Sequence, residues 1–353
     1  MEKKDEGISR REVLKTATAL GVGLSLGFPT IVRSAKVQEI KVGHQLHVGH
    51  QLGDQLHQFV DPIGSAKGFF DKAGYKLIRQ EYASVGIMAQ HLAIGEMDIG
   101  LMGVTAVMLA KAQGADVVIV GTQNQGGSAL VAAPNITKFE DLKDKPVGHT
   151  GVGAVQHALL TQMTRKFRTP VKMVTISPTD MTTFAKKGEV AAVQVYEPFP
   201  TIIIRAVPGW KRLVRDIDLV PSMQCCVIAT SKKFATDNPD VLERLAVINA
   251  TTIKYMRSYP DESSKIIAKA SGRDEKDVRD AYNYMIYPWR PPRVNEAGCK
   301  TILQWLVDSG KIDQSLMKPD LEAWWKGLYD PTFEEKVIKS GLIEKLDAEG
   351  VPA

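Results

Sequence analysis

Histidine is concentrated in one short segment of the chain. Four of the seven histidines lie close together, at His44, His47, His50 and His57. Imidazole nitrogen binds zinc and other borderline metals, which need three or four ligands. A spacing of three residues brings two of these side chains to one helix face, but not all four. The segment therefore predicts one of three things: a metal site, polar residues of which one or two contact an organic ligand directly, as we favour, or loop residues without a binding role.

Two turns have the composition of ligand-binding turns. Thr150-Gly-Val-Gly153 precedes a predicted helix, where free N–H groups and the helix dipole attract anions and glycine lets a ligand approach the backbone. A simple tight turn is the alternative. Gly103 and Thr105 lie at another strand-to-helix turn, where Thr105 is predicted either to be the helix N-cap or to contact a ligand.

Polar side chains follow several predicted strands. The amides Gln123–Gln125 suit hydrogen bonding to a polar solute. Tyr196 is predicted to stack on a ligand or bond to it, and Glu197 either meets a cationic group or stays a solvated charge. Asp180 is either a helix cap or a ligand contact. The complete set of candidate ligand contacts is His44, Gln45, His47, Ser84, Gly103, Thr105, Gln123, Asn124, Thr150, Gly151, Gly153, Asp180, Tyr196 and Glu197.

The chain has three cysteines, Cys225, Cys226 and Cys299. None has the C-x-x-C spacing of a zinc or redox motif, and a disulfide framework is excluded because at most one bridge can form. Adjacent cysteines rarely bridge each other. We therefore expect buried thiols.

Composition narrows the class of protein. The 353 residues carry 45 Lys and Arg against 40 Asp and Glu, for a formal charge of +5, and 44% are apolar. This apolar fraction builds a full core, and the length favours two domains. The small charge argues against an electrostatically driven nucleic-acid binder, which needs a basic stripe. The sequence contains no P-loop, no H-E-x-x-H and no complete G-x-G-x-x-G motif.

The N-terminal residues 1–34 are predicted to be an export signal. Arg10-Arg11 precede a run of 13 mostly apolar or small residues, Thr16 to Phe28. This run is too short to span a bilayer, which takes roughly 18 residues or more, and it suits a signal-peptide core. The paired arginines resemble the twin-arginine signal, with cleavage expected between Ser34 and Ala35. The alternative is an uncleaved membrane tether or an ordinary helix.

Beyond the signal, strands and helices alternate in two α/β blocks, and an almost wholly helical tail follows. Such alternation predicts sheets with parallel strands and helices on their faces. We expect the chain to leave the first block near residues 121–127 and to return near 221–225. The predicted domains are a discontinuous first lobe, 35–122 plus 225–353, and a second lobe, 123–224. A ligand cleft between the lobes follows from this arrangement.

An ordered series of short motifs carries a family resemblance. Its members are Gly68–Gly74, Ala93–Gly100, Gly103–Ala106, Phe139–Lys145, Phe184–Val190 and Tyr196–Phe199. In this order, and with an export signal, they resemble the periplasmic solute-binding proteins of ABC importers, in the branch that includes sulfonate-, taurine- and nitrate-binding proteins. This branch is related in fold to the thiamine-pyrimidine synthases.

The resemblance implies a two-lobed α/β receptor of the type II periplasmic-binding-protein fold, with a two-crossing hinge and the helical tail on the first lobe. It implies a monomeric, non-enzymatic periplasmic protein without a cofactor, which binds a small polar, anionic organic solute by lobe closure. The implied partners are a permease, an ATPase and the twin-arginine export machinery, and no nucleic acid. Two alternatives stay open: a metal or metal-chelate receptor that uses the segment from His44 to His57, and a synthase-like enzyme that uses a cysteine cluster.

Overall fold

The computed structural model describes residues 37–45, 56–82 and 85–351. The predicted export signal, His47, His50 and Ser84 lie outside these residues, and the side chain of Gln45 is likewise not described. Within the described part of the chain, two mixed sheets account for most of the strands.

The first sheet has five strands in the order β2-β1-β3-β11-β4. Its strands are β1 (Gln38–Gln45), β2 (Tyr75–Tyr82), β3 (Ile99–Gly103), β4 (Val117–Thr122) and β11 (Cys226–Ser231). β1 runs parallel to β2 and β3, whereas β11 is antiparallel to both β3 and β4. Every residue of β4 and β11 is buried, as expected for strands covered on both faces.

The second sheet has the order β10-β6-β9-β7-β8. Its strands are β6 (Ser128–Ala132), β7 (Pro146–His149), β8 (Lys172–Thr175), β9 (Ala192–Tyr196) and β10 (Lys211–Arg215). β7 is parallel to β8 and β9, and β6 is antiparallel to β9 and β10. All strands of this sheet come from the chain between β4 and β11. We call each sheet with the helices packed on it a lobe.

Three chain segments meet between the two sheets. β4 leads out of the first lobe into β5 (Gln125–Gly126), and the chain returns through Gln224 into β11. β5 also pairs with β12 (Met285–Ile286), a strand contributed by the C-terminal tail. A third segment, β12, therefore lies beside the two predicted crossings. Sequence periodicity did not reveal β12, because this strand is only two residues long.

The helices lie in the loops between strands and in the tail. In chain order they are α1 (Val60–Ala66), α2 (Phe69–Lys72), α3 (Val85–Ala93), α4 (Val104–Ala112), α5 (Val155–Lys166), α6 (Met181–Lys187), α7 (Phe199–Ala206), α8 (Asp216–Leu219), α9 (Lys232–Asp237), α10 (Pro239–Ser258), α11 (Pro260–Ser271), α12 (Glu275–Tyr282), α13 (Glu296–Asp308), α14 (Leu321–Lys326), α15 (Thr332–Lys339) and α16 (Leu342–Glu349).

The helical segment over residues 60–72 is not continuous. It divides into α1 and α2 at Gly68, whose φ of 66° is left-handed and interrupts the helical hydrogen bonds. Glycine adopts this conformation without the steric cost that a Cβ brings.

The helical tail packs on the first lobe, as predicted. Cys299 and Ile302 of α13 and the fully buried Trp325 share one apolar core with Met102 of β3 and Val107 of α4. The tail also reaches the second lobe.

The contact between the tail and the second lobe includes an ion pair, in which Arg205 of α7 pairs with Asp277 of α12 at 2.5 Å. Among the described residues, no helix is both long and apolar enough to cross a membrane.

Candidate functional site

The predicted amide cluster lies between the sheets, where β4 leads into β5. Gln123 Nε2 donates to Asn249 Oδ1 at 2.9 Å, and Asn249 Nδ2 donates to the Thr122 carbonyl oxygen at 2.8 Å. Gln224 Nε2 donates to the Cys226 carbonyl oxygen at 2.7 Å. These amides are buried and bond to one another and to the backbone. They tie the outgoing and returning segments together, a role that the sequence did not predict.

Asn124 retains an unused acceptor in this cluster. Its Nδ2 donates to the Gly126 carbonyl oxygen at 3.0 Å, whereas its buried Oδ1 has no hydrogen-bond partner among the described residues. A buried amide oxygen without a partner costs about 1–3 kcal/mol. Among the predicted amides Gln123–Gln125, Asn124 is therefore the one with a buried acceptor that no described residue satisfies.

Thr105 and Gly153, predicted as separate contacts, meet in the structure. The Thr105 hydroxyl donates to the Gly153 carbonyl oxygen at 2.7 Å. Thr105 is not the N-cap of α4: the cap residue is Gly103, and the helix begins at Val104. Of the two predicted roles, the N-cap is excluded because Gly103 already has the extended conformation of a cap, which leaves the Thr105 hydroxyl available to the opposite lobe.

The turn from Thr150 to Gly153 combines a tight bend with a helix start. Gly151 and Gly153 have φ values of 125° and 91°, which favour glycine. The Gly151 N–H donates to His149 Nδ1 at 3.1 Å, and Thr150 Oγ1 donates to Gln156 Oε1 at 3.2 Å. Helix α5 follows with no side-chain cap at Ala154. The first N–H groups of α5 form the positive end of the helix dipole, and no capping side chain bonds to them.

A cavity of about 620 Å³ adjoins this turn. It lies between the two lobes and is lined mainly by small and apolar side chains, with His157 and Lys311 among its polar residues. Burial lowers the pKa of His157 to about 4, so this imidazole is neutral at pH 7. Lys311 is the cationic side chain at the cavity wall, which suits an anionic guest.

Glu197 is neither solvated nor open to a ligand cation. It is 1% exposed, and Arg212 Nη2 donates to its Oε1 at 2.5 Å. The Thr201 hydroxyl donates to the other oxygen at 2.8 Å. Burial raises the pKa of this carboxyl, although Arg212 opposes the shift. The structure therefore places Glu197 in an internal ion pair of the second lobe.

The two described histidines of the histidine-rich segment have different partners. His44 Nε2 lies 2.8 Å from Asp61 Oδ2, and Arg79 pairs with the same carboxylate. His57 instead has its Nδ1 3.4 Å from the Cys225 sulfur. Tyr196, predicted to stack on a ligand, packs the edge of its ring on His57 with ring centres 5.3 Å apart.

His57 belongs to a buried group with both adjacent cysteines. One ligand atom from each of His57, Cys225 and Cys226 lies within 4.8 Å of the others. A hydrogen bond from Cys226 is the main cause that holds the pKa of the Cys225 thiol well below its usual range, and the nearby His57 lowers this pKa as well. Burial raises the pKa of the Cys299 thiol in the apolar core. All three cysteines are free.

A family model of the "NMT1/THI5 like" family matches residues 63–263, more than half of the chain. The chain belongs to the NMT1/THI5-like family. A curated relative, the putative aliphatic sulfonates-binding protein of Escherichia coli (strain K12), is 24% identical over 271 residues, which are 74% of this chain and 80% of the relative.

Solved structures show the fold of this NMT1/THI5-like protein. The periplasmic nitrate-binding protein NrtA from Synechocystis PCC 6803 superposes with a TM-score of 0.72 at 14% identity, covering 90% of this chain and 92% of that one. The ligand binding component of an ABC-type import system from Staphylococcus aureus, with zinc bound, gives 0.70 at 14% identity, covering 85% and 98%. The α/β periplasmic-binding-protein fold predicted from the sequence is confirmed.

Sequence reasoning missed three buried polar residues in this NMT1/THI5-like protein. Both polar atoms of the Gln58 amide and Oε1 of Gln194 have no hydrogen-bond partner among the described residues. Asp216 accepts the N–H groups of Ser128 and Ile217, both at 2.8 Å, and its burial raises the carboxyl pKa to about 7. Nothing in the local sequence marks these side chains, because their burial depends on tertiary contacts.

The remaining candidate, Asp180, is the N-cap residue of α6, but its side chain makes no cap hydrogen bond. The side chain is exposed.

Proposed function

We propose that this chain is the substrate-binding component of an ABC-type import system. In this proposal it captures a small polar, anionic organic solute between its two lobes and delivers it to a separate permease and ATPase. The observation that carries the proposal is the hydrogen bond from Thr105 to Gly153, which joins the lobes beside a cavity and a glycine-rich helix start. The similarity of this chain to a sulfonate-binding and a nitrate-binding protein supports it.

The mechanism we propose is lobe closure. The segments around Gln123–Gln125 and Gln224–Cys226 bend, and a bound solute bridges the lobes and stabilises the closed state. To change a state from 1% to 99% populated, the solute must favour it by about 5.5 kcal/mol. A few charge-assisted hydrogen bonds of roughly 1.5–3 kcal/mol each are enough. We propose lobe boundaries at residues 35–122 plus 225–353 and 123–224.

We propose that the solute's anionic group lies at the start of α5, over the turn from Thr150 to Gly153. The unused amide groups of Gln58, Asn124 and Gln194 are then available to polar atoms elsewhere on the solute. Lys311 adds a positive charge at the cavity wall. A site of this composition binds and orients an anion, so we propose a receptor without catalytic activity.

The proposal includes the route to the periplasm. Residues 1–34 serve as a twin-arginine signal that is cleaved between Ser34 and Ala35, and the mature protein acts as a monomer. The export machinery, the permease and the ATPase are its proposed protein partners.

The proposal is tested by binding measurements on the mature protein. Native mass spectrometry of protein purified from the periplasm of its own host identifies any retained solute by mass. Calorimetry with taurine, short alkanesulfonates and nitrate then measures affinity, with Gly153→Asp as the site variant. We expect saturable binding of at least one anion that the variant weakens. No binding of any retained or added anion, or equal affinity in the folded variant, would contradict the proposal.

A further inference from the structure

The group formed by His57, Cys225 and Cys226 shares no residue with the proposed anion-binding turn. Its three ligand atoms lie within 4.8 Å of one another, and the side chains are at most 3% exposed. Cys225 and Cys226 lie where the chain returns to the first sheet, and His57 lies just before α1. The group thus joins segments separated by 168 residues.

The spacing of these atoms fits tetrahedral metal coordination. Bond lengths of about 2.3 Å to sulfur and about 2.0–2.1 Å to nitrogen place neighbouring ligand atoms roughly 3.5–3.8 Å apart in a tetrahedron. The Cys225 sulfur and His57 Nδ1 are 3.4 Å apart. Only small side-chain shifts are therefore needed to bring all three ligands to one ion.

The charges also suit a divalent cation. Two thiolates and a neutral imidazole carry a charge of −2, so a divalent ion leaves the buried assembly neutral, whereas unpaired buried charges are costly. Cys299 is not part of the group.

We propose that His57, Cys225 and Cys226 form a binding site for one thiophilic divalent cation of the zinc class. Three protein ligands leave a fourth position for water or a solute atom, as in open zinc sites. The ion would fix the returning segment to the residues before α1. The inference goes beyond the proposed import function, since metal binding at this group requires no transported solute.

The test uses the mature protein, reduced and freed of metal, with Co²⁺ and then Zn²⁺ as probes. We expect one Co²⁺ per chain with thiolate-to-cobalt charge-transfer absorption, which Zn²⁺ abolishes by displacement. Cys225→Ser and Cys226→Ser should each weaken Zn²⁺ binding by about 100-fold or more, since loss of outer-shell partners alone costs 10–100-fold. His57→Gln should weaken binding while keeping part of the charge-transfer band. Cys299→Ser, which removes a buried thiol elsewhere, should bind like the wild type.

Absence of the charge-transfer band in the wild type, or equal Zn²⁺ affinity in folded Cys225→Ser and Cys226→Ser, would overturn the proposal. If a cysteine variant fails to fold, His57→Gln decides, since it keeps both thiols. Equal Zn²⁺ affinity in the wild type and in folded His57→Gln would contradict the site. Anion affinity is measured separately on metal-free protein, so a failure of the import proposal is recognised independently.

Discussion

The Thr105 hydroxyl and the Gly153 carbonyl oxygen, 48 residues apart in sequence, form a 2.7 Å hydrogen bond between α4 of the first lobe and the turn before α5 of the second. Gly103 is the cap of α4, so the Thr105 hydroxyl is not required to start its own helix. The bond is thus a direct contact between the lobes.

Thr105→Val removes this hydroxyl and keeps the shape of the side chain. Because one neutral hydrogen bond contributes about 1 kcal/mol, we expect the affinity for the solute to fall about fivefold and the solute-free protein to expand. Small-angle scattering and calorimetry measure both. Thr236→Val, on the exposed helix α9, is the control. An unchanged radius and affinity in Thr105→Val would show that the bond does not hold the lobes together.

Gly153→Asp places a carboxylate at the proposed anion site. Repulsion between unit charges about 4 Å apart is about 4 kcal/mol at an effective dielectric constant near 20, so affinity should fall about a thousandfold. Any side chain is strained at a φ of 91°. Gly153→Ala therefore measures the strain and the contact with Leu109 without the charge.

Gly188→Asp, at another positive φ with open space around it, is a second control for this charge. Equal affinities for Gly153→Asp and Gly153→Ala, measured by calorimetry, would show that the anion does not bind at this turn.

Glu334 should make stability depend on pH. Burial raises its carboxyl pKa from 4.5 to about 7, so between these values the folded state binds more protons than the unfolded state. The stabilisation is present below pH 4.5 and is lost as pH rises through 7, by an amount on the order of 3 kcal/mol. Urea unfolding at pH 5 and pH 8 should show this loss in the wild type and a smaller loss in Glu334→Gln, where Asp216, whose carboxyl pKa is also raised to about 7, still contributes.

The matched control for Glu334 is Glu335→Gln, whose side chain points outward and pairs with Lys339. This variant should keep the full pH dependence. If Glu334→Gln keeps it as well, another group is responsible.

Asp61→Asn removes a buried carboxylate from a charge pair. Asp61 is fully buried, with His44 at 2.8 Å and the half-exposed Arg79 at 2.6 Å. Water still solvates Arg79 after the change, so we expect a loss of about 1–3 kcal/mol from the hydrogen bonds to the carboxylate. Chemical unfolding should show this loss, whereas Asp71→Asn, at an exposed position of α2, should change stability by less than about 0.5 kcal/mol.

The export prediction is tested by replacing Arg10 and Arg11 with lysine. We expect precursor to accumulate in the cytoplasm, because the twin-arginine pair is the recognised feature of the signal. Cell fractionation and immunoblotting measure the distribution. Normal periplasmic levels of the double variant would refute a twin-arginine route.

Much of the fold could be predicted from local pattern. The β-branched run of β4 and the glycines that end helices mark elements in the sequence itself. The site could be predicted only in part. Cys225 and Cys226 were correctly expected to be buried, but their meeting with His57 depends on how distant segments pack. Glu197 was misjudged for the same reason, because its partner Arg212 comes from another strand.

The central position of β11 in the first sheet has a consequence for synthesis of the chain. β3 and β4 do not pair with each other, because β11 lies between them and pairs with both. The ribosome makes β11 about a hundred residues after β4. A nascent chain that ends before Cys226 therefore carries two apolar strand edges, which are templates for wrong pairing. The second sheet, made wholly of residues 128–215, has all its strands by then. Folding should thus proceed from the middle of the chain outward, with the N-terminal strands among the last to be locked in place.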